Sequence, residues 1–247
     1  MNFNQVMRKL VLFSLFLSIF LNVSSQQTSV IYQRGLSADE NLKAISNLGP
    51  YSQGGIGFDT RYEGIKGSPR MLDTLLPSFL RLDGQDFYIE MMADLDLVKN
   101  AVIYIHPNTK KMYSVPLDFI SEFVIDNKGK EMVFRTTKGK KFEKEMKDQK
   151  FYQILKEGTY QFIKIPLKKF LQADYKGAYT ADRRYDEYIP DARYYLLNSE
   201  GIFCQIQLNK RSVSKVYPDK KKLIDQVEWE DSNPDKESMI LSILEKF

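Results

Sequence analysis

The sequence predicts a mainly β fold of the α+β type, in which an antiparallel β-meander forms a curled sheet, a sandwich or a barrel-like domain. Apolar and polar residues alternate from Phe87 to Leu97, which is the period of a strand with one buried face. Shorter alternating runs surround it, and their connections are too short for parallel crossovers. Beyond Leu208 the apolar spacing becomes helical, which predicts short C-terminal helices packed on the sheet.

The first 25 residues have the pattern of a secretory signal peptide. Arg8 and Lys9 precede an apolar block over residues 10–23, and the small residues Ser24 and Ser25 follow it. The alternative is an uncleaved membrane anchor, but the block is shorter than the roughly 20 residues that a bilayer span needs. We therefore predict export, a mature chain that starts near Gln26, and no transmembrane span within it.

Three regions are predicted after the signal peptide. Residues 26–61 form a flexible N-terminal arm, because that stretch has too few periodic apolar residues to fix itself. One short helix is expected there, from Ser37 to Asn47, since Ser37 and Glu40 have the spacing of a capping box. Residues 62–208 form the antiparallel β domain, and residues 209–247 form helices that pack on it.

Seven strands are predicted in the first part of the β domain. Tight turns at Asp83-Gly84, Pro107-Asn108, Asn127-Lys128-Gly129 and Lys138-Gly139 separate several of them. The stretch from Phe151 to Leu155 is compatible with either a strand or one helical turn, and alternation returns at residues 202–208. The predicted strands cover residues 76–82, 86–97, 100–105, 111–117, 119–126, 130–137 and 159–166.

Three C-terminal helices are predicted from caps and apolar spacing. Asn209 caps the first, Pro218 opens the second, and the third follows residues 232–234. The third helix carries a narrow apolar stripe that must pack on something, and we expect it to pack on the sheet. The stripe consists of Ile240, Ile243, Leu244 and Phe247.

The residues that could support catalysis are few, and we predict no catalytic, metal or cofactor site. His106 is the only histidine and directly precedes Pro107, which favours a role in a turn. Asp94 and Asp96 alternate along the strand around Phe87 to Leu97, which predicts a solvated polar face. The glycine-rich segment 52–57 lacks the Lys-Ser/Thr ending of a phosphate-binding loop, so a nucleotide site is not expected.

Cys204 is the only cysteine, so no intramolecular disulfide can form. It alternates with Ile202, Ile206 and Leu208, which predicts a buried, slowly reacting thiol. The net charge of +4 falls to +2 when Arg8 and Lys9 are removed, and this near neutrality argues against nucleic acid as a partner.

The most unusual composition lies between Tyr175 and Tyr195, where tyrosines alternate with charged residues. Tyrosine and arginine are enriched in binding surfaces because both combine a large contact area with hydrogen-bonding tips. A long connection or edge hairpin, with rings on the core and hydroxyls in solvent, is the competing interpretation. The candidate binding residues are Tyr175, Tyr179, Arg183, Arg184, Tyr185 and Tyr188.

Several short motifs resemble an uncharacterised family of exported, signal-peptide-bearing proteins from Bacteroidota. The similarity extends from about Tyr62 to Phe247. It implies a location in the cell envelope and a β-rich domain with a helical tail, and it implies no activity. The motifs are Gly67-Ser68-Pro69, the stretch from Phe151 to Gly158, Tyr194-Tyr195-Leu196 with Gly201, and the stretch from Val216 to Lys220.

Two functions remain open from the sequence. The first is a non-enzymatic binding or assembly module of the envelope, periplasmic, associated with the outer membrane or secreted, whose partner is an envelope protein or a glycan. The second is a carboxylate-dependent hydrolase that acts on glycan or peptide through Asp94, Asp96 or Asp186. A hydrolase needs at least two carboxylates that converge in a cleft, whereas a binding module needs an aromatic surface. The oligomeric state is not predicted.

Overall fold

The computed structural model describes residues 38–49, 64–172 and 185–247, all within one compact unit. The predicted signal peptide, most of the predicted arm and the segment 52–57 lie outside the described residues. The helices are α1 (Ala38–Ser46), α2 (Lys210–Val216), α3 (Lys221–Gln226) and α4 (Lys236–Leu244). The strands are β1 (Ile65–Lys66), β2 (Leu76–Leu82), β3 (Ile89–Asp96), β4 (Ala101–Ile105), β5 (Met112–Pro116), β6 (Ile120–Asn127), β7 (Lys130–Thr136), β8 (Phe151–Lys156), β9 (Phe162–Leu171), β10 (Asp186–Leu197) and β11 (Phe203–Ile206).

The mainly β class is confirmed, as one 11-stranded sheet with a few short helices. Its order is β1-β10-β9-β8-β7-β6-β2-β3-β4-β5, with β11 also paired to β10, and the sheet does not close on itself. Every strand pair is antiparallel except β1 with β10, which is parallel and makes the sheet mixed. The antiparallel pairing is therefore correct for all but one short edge strand, whereas the meander order is interrupted where β6 pairs with β2 instead of β5.

Chain connectivity requires the first half of the sheet to curl. Strands β5 and β6 are four positions apart in the sheet, about 19 Å at the usual strand spacing. Only Leu117–Phe119 connects Pro116 to Ile120, which spans at most about 14 Å. The curl encloses the core of this half, which we call the meander core. Its buried members come from α1, β2 to β8 and the β5–β6 connection, and include Ile45, Leu48, Leu80, Ile89, Leu95, Tyr104, Phe123 and Phe134.

Helix α1 confirms the one helix predicted between Ser37 and Asn47, but it is packed against the sheet instead of lying in a loose arm. Ile45 and the following Leu48 are buried in the meander core. The Asn41 side chain pairs with the backbone of Glu90, donating to its carbonyl at 2.9 Å and accepting from its N–H at 2.8 Å. Strand β4 pairs with β3 only from Ala93 onward, so it does not reach Glu90. The Asn41 side-chain amide therefore satisfies the backbone N–H and carbonyl of Glu90 in its place. Two buried side chains and one amide are thus enough to fix this helix.

The second half of the sheet is covered on both faces. On one face Ile240, Ile243 and Leu244 of α4 pack with Phe162, Leu196 and Ile206, in what we call the helix-side core. The expected packing of the C-terminal stripe on the sheet is therefore confirmed. On the other face lies the loop-side core, formed by Tyr152, Ile163, Ile165, Tyr195 and Phe203 with the partly buried Phe142 and Met146 of the β7–β8 connection.

Strand β10 was not predicted, and β9 extends five residues beyond its predicted end. Their distal halves lack apolar alternation because both faces are exposed there, at Phe170 on β9 and Ile189 on β10. On the side away from β9, strand β10 pairs with β1 at residues 186–187 and with β11 at residues 194–197. Residues 189–193, between these two pairings, have no described partner strand on that side. Within this stretch Pro190 has no N–H, and the Ala192 N–H donates to the Asp191 carboxylate at 2.8 Å.

Candidate functional site

Of the six predicted binding residues, the structure describes two. Tyr185 is half-buried, with the Lys66 ammonium 3.5 Å from its ring centroid. Tyr188 is half-buried opposite Phe170 on β9, with ring centroids 5.0 Å apart. Both lie at the distal end of the β9–β10 hairpin. The other four, Tyr175, Tyr179, Arg183 and Arg184, lie outside the described residues.

The two acids of β3 contradict the prediction of a solvated face. Asp94 is fully buried and Asp96 is nearly so. The chain before β2 continues alongside the end of β3, with the Met71 N–H donating to the Leu95 carbonyl at 2.8 Å and the Leu97 N–H donating to the Pro69 carbonyl at 3.0 Å. Alternation correctly placed both acids on one face, but it could not reveal that this face is also covered.

Each of these carboxylates holds backbone N–H groups. Asp94 accepts from Leu95 at 2.7 Å and from Leu72 at 3.2 Å. Burial raises the pKa of Asp94 from 3.8 to about 6, and these two hydrogen bonds oppose the rise. Asp96 accepts from the N–H groups of Val98 and Lys99, at 3.0 and 2.8 Å, and so closes the turn into β4. Both acids act as structural acceptors.

His106 serves the turn that follows β4. Its Nδ1 accepts from the N–H groups of Asn108 and Thr109 at 3.2 and 3.3 Å. Its backbone N–H donates to the Lys111 carbonyl at 3.0 Å, which extends the β4–β5 pairing by one step. The expected role of this histidine in a turn is therefore correct.

Cys204 is half-buried, where full burial was expected. It lies opposite Leu196 of the helix-side core, so the predicted face is correct. Phe203, predicted on the polar face, is buried because Phe142 bridges to it and stacks on it at 5.2 Å. Burial raises the pKa of the Cys204 thiol, which lowers its thiolate fraction.

One set of polar side chains crosses four neighbouring strands on one face of the sheet. Arg81 of β2 lies opposite Glu122 of β6, Glu122 lies opposite Arg135 of β7, and Arg135 lies opposite Tyr152 of β8. Residues that face each other across paired strands project to the same side. We call these four residues, with Tyr88 and Glu157 that bind them, the arginine–glutamate row.

Glu122 is the centre of this row. Its side chain is only 4% exposed, and Arg135 Nε donates to Glu122 Oε2 at 2.5 Å. The Tyr88 hydroxyl donates to Glu122 Oε1, and Arg81 Nη2 lies 3.8 Å from Oε2. A buried carboxylate is stable only when its oxygens have such partners.

The two arginines are fixed but remain partly accessible. Arg135 Nη1 contacts Glu157 at 2.9 Å, and Arg81 Nε donates to the Ser121 hydroxyl at 3.2 Å. The side chains of Arg81 and Arg135 are 33% and 37% exposed. The Arg81 guanidinium also lies 5.3 Å from the centroid of the Tyr88 ring. These contacts hold both guanidinium groups in one orientation while solvent still reaches them.

Tyr152 closes the row on the side of the loop-side core. The residue is fully buried, and its hydroxyl lies beside its cross-strand neighbour Arg135 without making a hydrogen bond of normal geometry. Burial raises the pKa of this hydroxyl, so it remains protonated.

The sequence contained one signal for this row. Glu122 lies in a strongly apolar run, and an acid in such a run requires cationic partners. Arg135 lies across the β6–β7 hairpin, whose turn at Lys128 and Gly129 sets it opposite Glu122, whereas Arg81 is distant in sequence and reaches Glu122 only through the β2–β6 register. Sequence reasoning therefore missed the row.

Within residues 38–49, 64–172 and 185–247, no three His, Cys, Asp or Glu side chains are close enough to hold a metal ion. No helix of this described part is both long and apolar enough to cross a membrane. Comparison of the chain with protein-family models, curated proteins and solved structures found no match.

Proposed function

We propose that this protein is exported to the cell envelope and works by binding a partner, with the arginine–glutamate row as its binding surface. The observation that carries the proposal is the pair of partly exposed arginine side chains, of which Arg135 is held by the buried Glu122 and Arg81 by the Ser121 hydroxyl. Fixed side chains lose little conformational entropy when they bind a partner. The export half of the proposal is supported by the N-terminal pattern alone.

The charge of the row favours a neutral, hydroxyl-rich partner. Two arginines face two glutamates, Glu122 and Glu157, so the charges balance. A balanced set of donors and acceptors suits the hydroxyl groups of a glycan better than a polyanion. Tyr88 adds an aromatic ring beside Arg81. A glycan of the envelope is therefore the favoured partner, and an envelope protein is the alternative.

Cosedimentation of the full chain with purified peptidoglycan sacculi tests this surface. Replacing Arg81 and Arg135 by alanine should weaken cosedimentation at least tenfold, as expected when a few arginines dominate an interface. The matched control is Lys138→Ala, which removes a surface cation from an exposed ion pair with Asp83. Circular dichroism must first establish that each variant is folded. Unchanged cosedimentation of a folded double variant would exclude the row.

A carboxylate-dependent hydrolase is the second candidate, and one observation favours it. A pKa of about 6 gives Asp94 the protonation behaviour of a general acid near neutral pH. Against it, Asp94 is fully buried and its oxygens accept backbone N–H groups. Release of soluble fragments from sacculi by the wild type, abolished in Asp94→Asn, would replace the binding proposal with this one.

A further inference from the structure

A cavity of about 400 Å³ lies between α1 and the turn that joins β2 to β3. Small-molecule sites typically occupy roughly 300–1,000 Å³, so the volume suffices for one small ligand. The walls come from two separate parts of the chain. They are Ala44, Ser46, Asn47 and Leu48 on the helix side, and Leu82, Gln85, Phe87 and Ile89 on the strand side.

The position of the helix wall is fixed. The Asn41 pair with Glu90 ties α1 to β3, and Ile45 and Leu48 anchor it in the meander core. On the strand side, the Asp83 N–H donates to the Phe119 carbonyl at 2.9 Å and the Gln85 N–H donates to the Leu82 carbonyl at 3.2 Å. Both walls therefore hold their shape without a ligand.

The lining specifies the chemistry of an occupant. None of the eight lining side chains is charged, in a chain where 28% of residues are. Phe87 is 42% exposed at the cavity, with Leu48, Leu82 and Ile89 buried around it. One polar atom stands out: Gln85 Oε1 is buried and has no hydrogen-bond partner. A buried amide oxygen without a donor is costly, and a ligand N–H or O–H would satisfy it.

We propose that this cavity binds a small, uncharged, mainly apolar molecule, and that the half-buried Gln85 side chain turns its buried amide oxygen into the cavity to accept the ligand's single N–H or O–H group. Phe87 closes over the apolar body, and the absence of charge in the lining rejects ionic ligands, which would lose their hydration without gaining a counter-charge. The site is distinct from the arginine–glutamate row in residues and in ligand class.

Fluorescence titration of the full chain with N-phenyl-1-naphthylamine tests the site, because this probe is apolar, uncharged and carries one N–H. The expected result is a saturable increase in fluorescence with one site per chain. Gln85→Leu should weaken binding of this probe about fivefold, the usual worth of one hydrogen bond. Competition by 1-phenoxynaphthalene, which has an ether oxygen in place of the N–H, should be unaffected by that substitution.

Ala44→Phe should fill the cavity and weaken both probes at least tenfold, with folding confirmed by circular dichroism. Met92→Ala removes an exposed apolar side chain outside the cavity and should leave both affinities unchanged. Absence of saturable binding to the wild type would overturn the proposal. So would wild-type affinity in folded Ala44→Phe, or an equal loss for both probes in Gln85→Leu.

Discussion

The two halves of the sheet bury their faces in different ways. Strands β2 to β7 curl around the meander core, and their other face carries the arginine–glutamate row. Strands β8 and β11 and the proximal halves of β9 and β10 are covered on both faces, by the C-terminal helices and by the β7–β8 connection. In the half that is covered on both faces, charge lies at the margin of the core, as in the partly exposed pair of Lys164 and Glu237, whereas the half that buries one face through curvature places the buried acids Asp94 and Glu122 on the other face.

The largest effect is expected in the half that is covered on both faces. Ile240 of α4 is fully buried against the sheet. Its replacement by alanine should lower the free energy of unfolding by roughly 2–5 kcal/mol, as core truncations do. Chemical denaturation measures the change. A loss below about 0.5 kcal/mol would mean that this half does not depend on its helices.

The next prediction concerns the pH dependence that Asp94 gives to the curled half. Its pKa rises from 3.8 to about 6 on folding, so the folded state binds this proton more tightly than the unfolded chain does. The contribution of Asp94 is therefore fully present below about pH 4 and is lost as the pH rises through 6. The loss is at most about 3 kcal/mol, before solvent screening reduces it.

Asp94→Asn should remove this dependence. Denaturation of the wild type and the variant from pH 4 to 8 should show the wild type losing stability relative to the variant between about pH 4 and 6, with parallel curves at higher pH. Parallel curves throughout would mean that the carboxylate is solvated after all.

A smaller effect is expected at Glu122. Glu122→Gln keeps the shape of the side chain but removes the charge that pairs with Arg135. The expected loss is about 2 kcal/mol, because the half-exposed arginines recover part of their hydration. Thermal denaturation at constant pH measures it. An increase in stability would place Glu122 among the buried ion pairs whose desolvation outweighs their attraction.

The smallest effect belongs to the exposed pair of Lys138 and Asp83, whose charged groups are 3.0 Å apart. A double-mutant cycle to alanine should give a coupling of about 0.2–1 kcal/mol, which salt should abolish. The same cycle on Arg135 and Glu122 should give a larger coupling that resists salt. Equal couplings would contradict the distinction between a fixed row and an ordinary surface pair.

Local patterns predicted the elements well wherever one face alone was buried. Asn209 caps α2 as expected, through a 2.8 Å bond from the Ser212 N–H to its side chain. The turn at Lys128 and Gly129 has both residues at positive φ, 57° and 84°, as a tight hairpin requires. Such features depend on a few adjacent residues, so the sequence carries them in full.

The sequence-based predictions failed where a distant segment covers a strand face and where both faces are exposed. Asp94 is buried by the chain before β2, and Phe203 is buried by Phe142, which no period in β3 or β11 could reveal. The distal half of β10 lacks alternation because solvent reaches both faces. The arginine–glutamate row also depends on the pairing of β2 with β6 and of β7 with β8, which becomes visible only when the strand order is known.

The unpaired stretch of β10 has a consequence for the behaviour of the protein in solution. Exposed strand edges recruit further chains when their outward N–H groups are free to donate. On this edge Pro190 offers no donor and the Ala192 N–H is already bound by Asp191. The described part of this edge therefore offers a further strand fewer free donors than an ordinary exposed edge does.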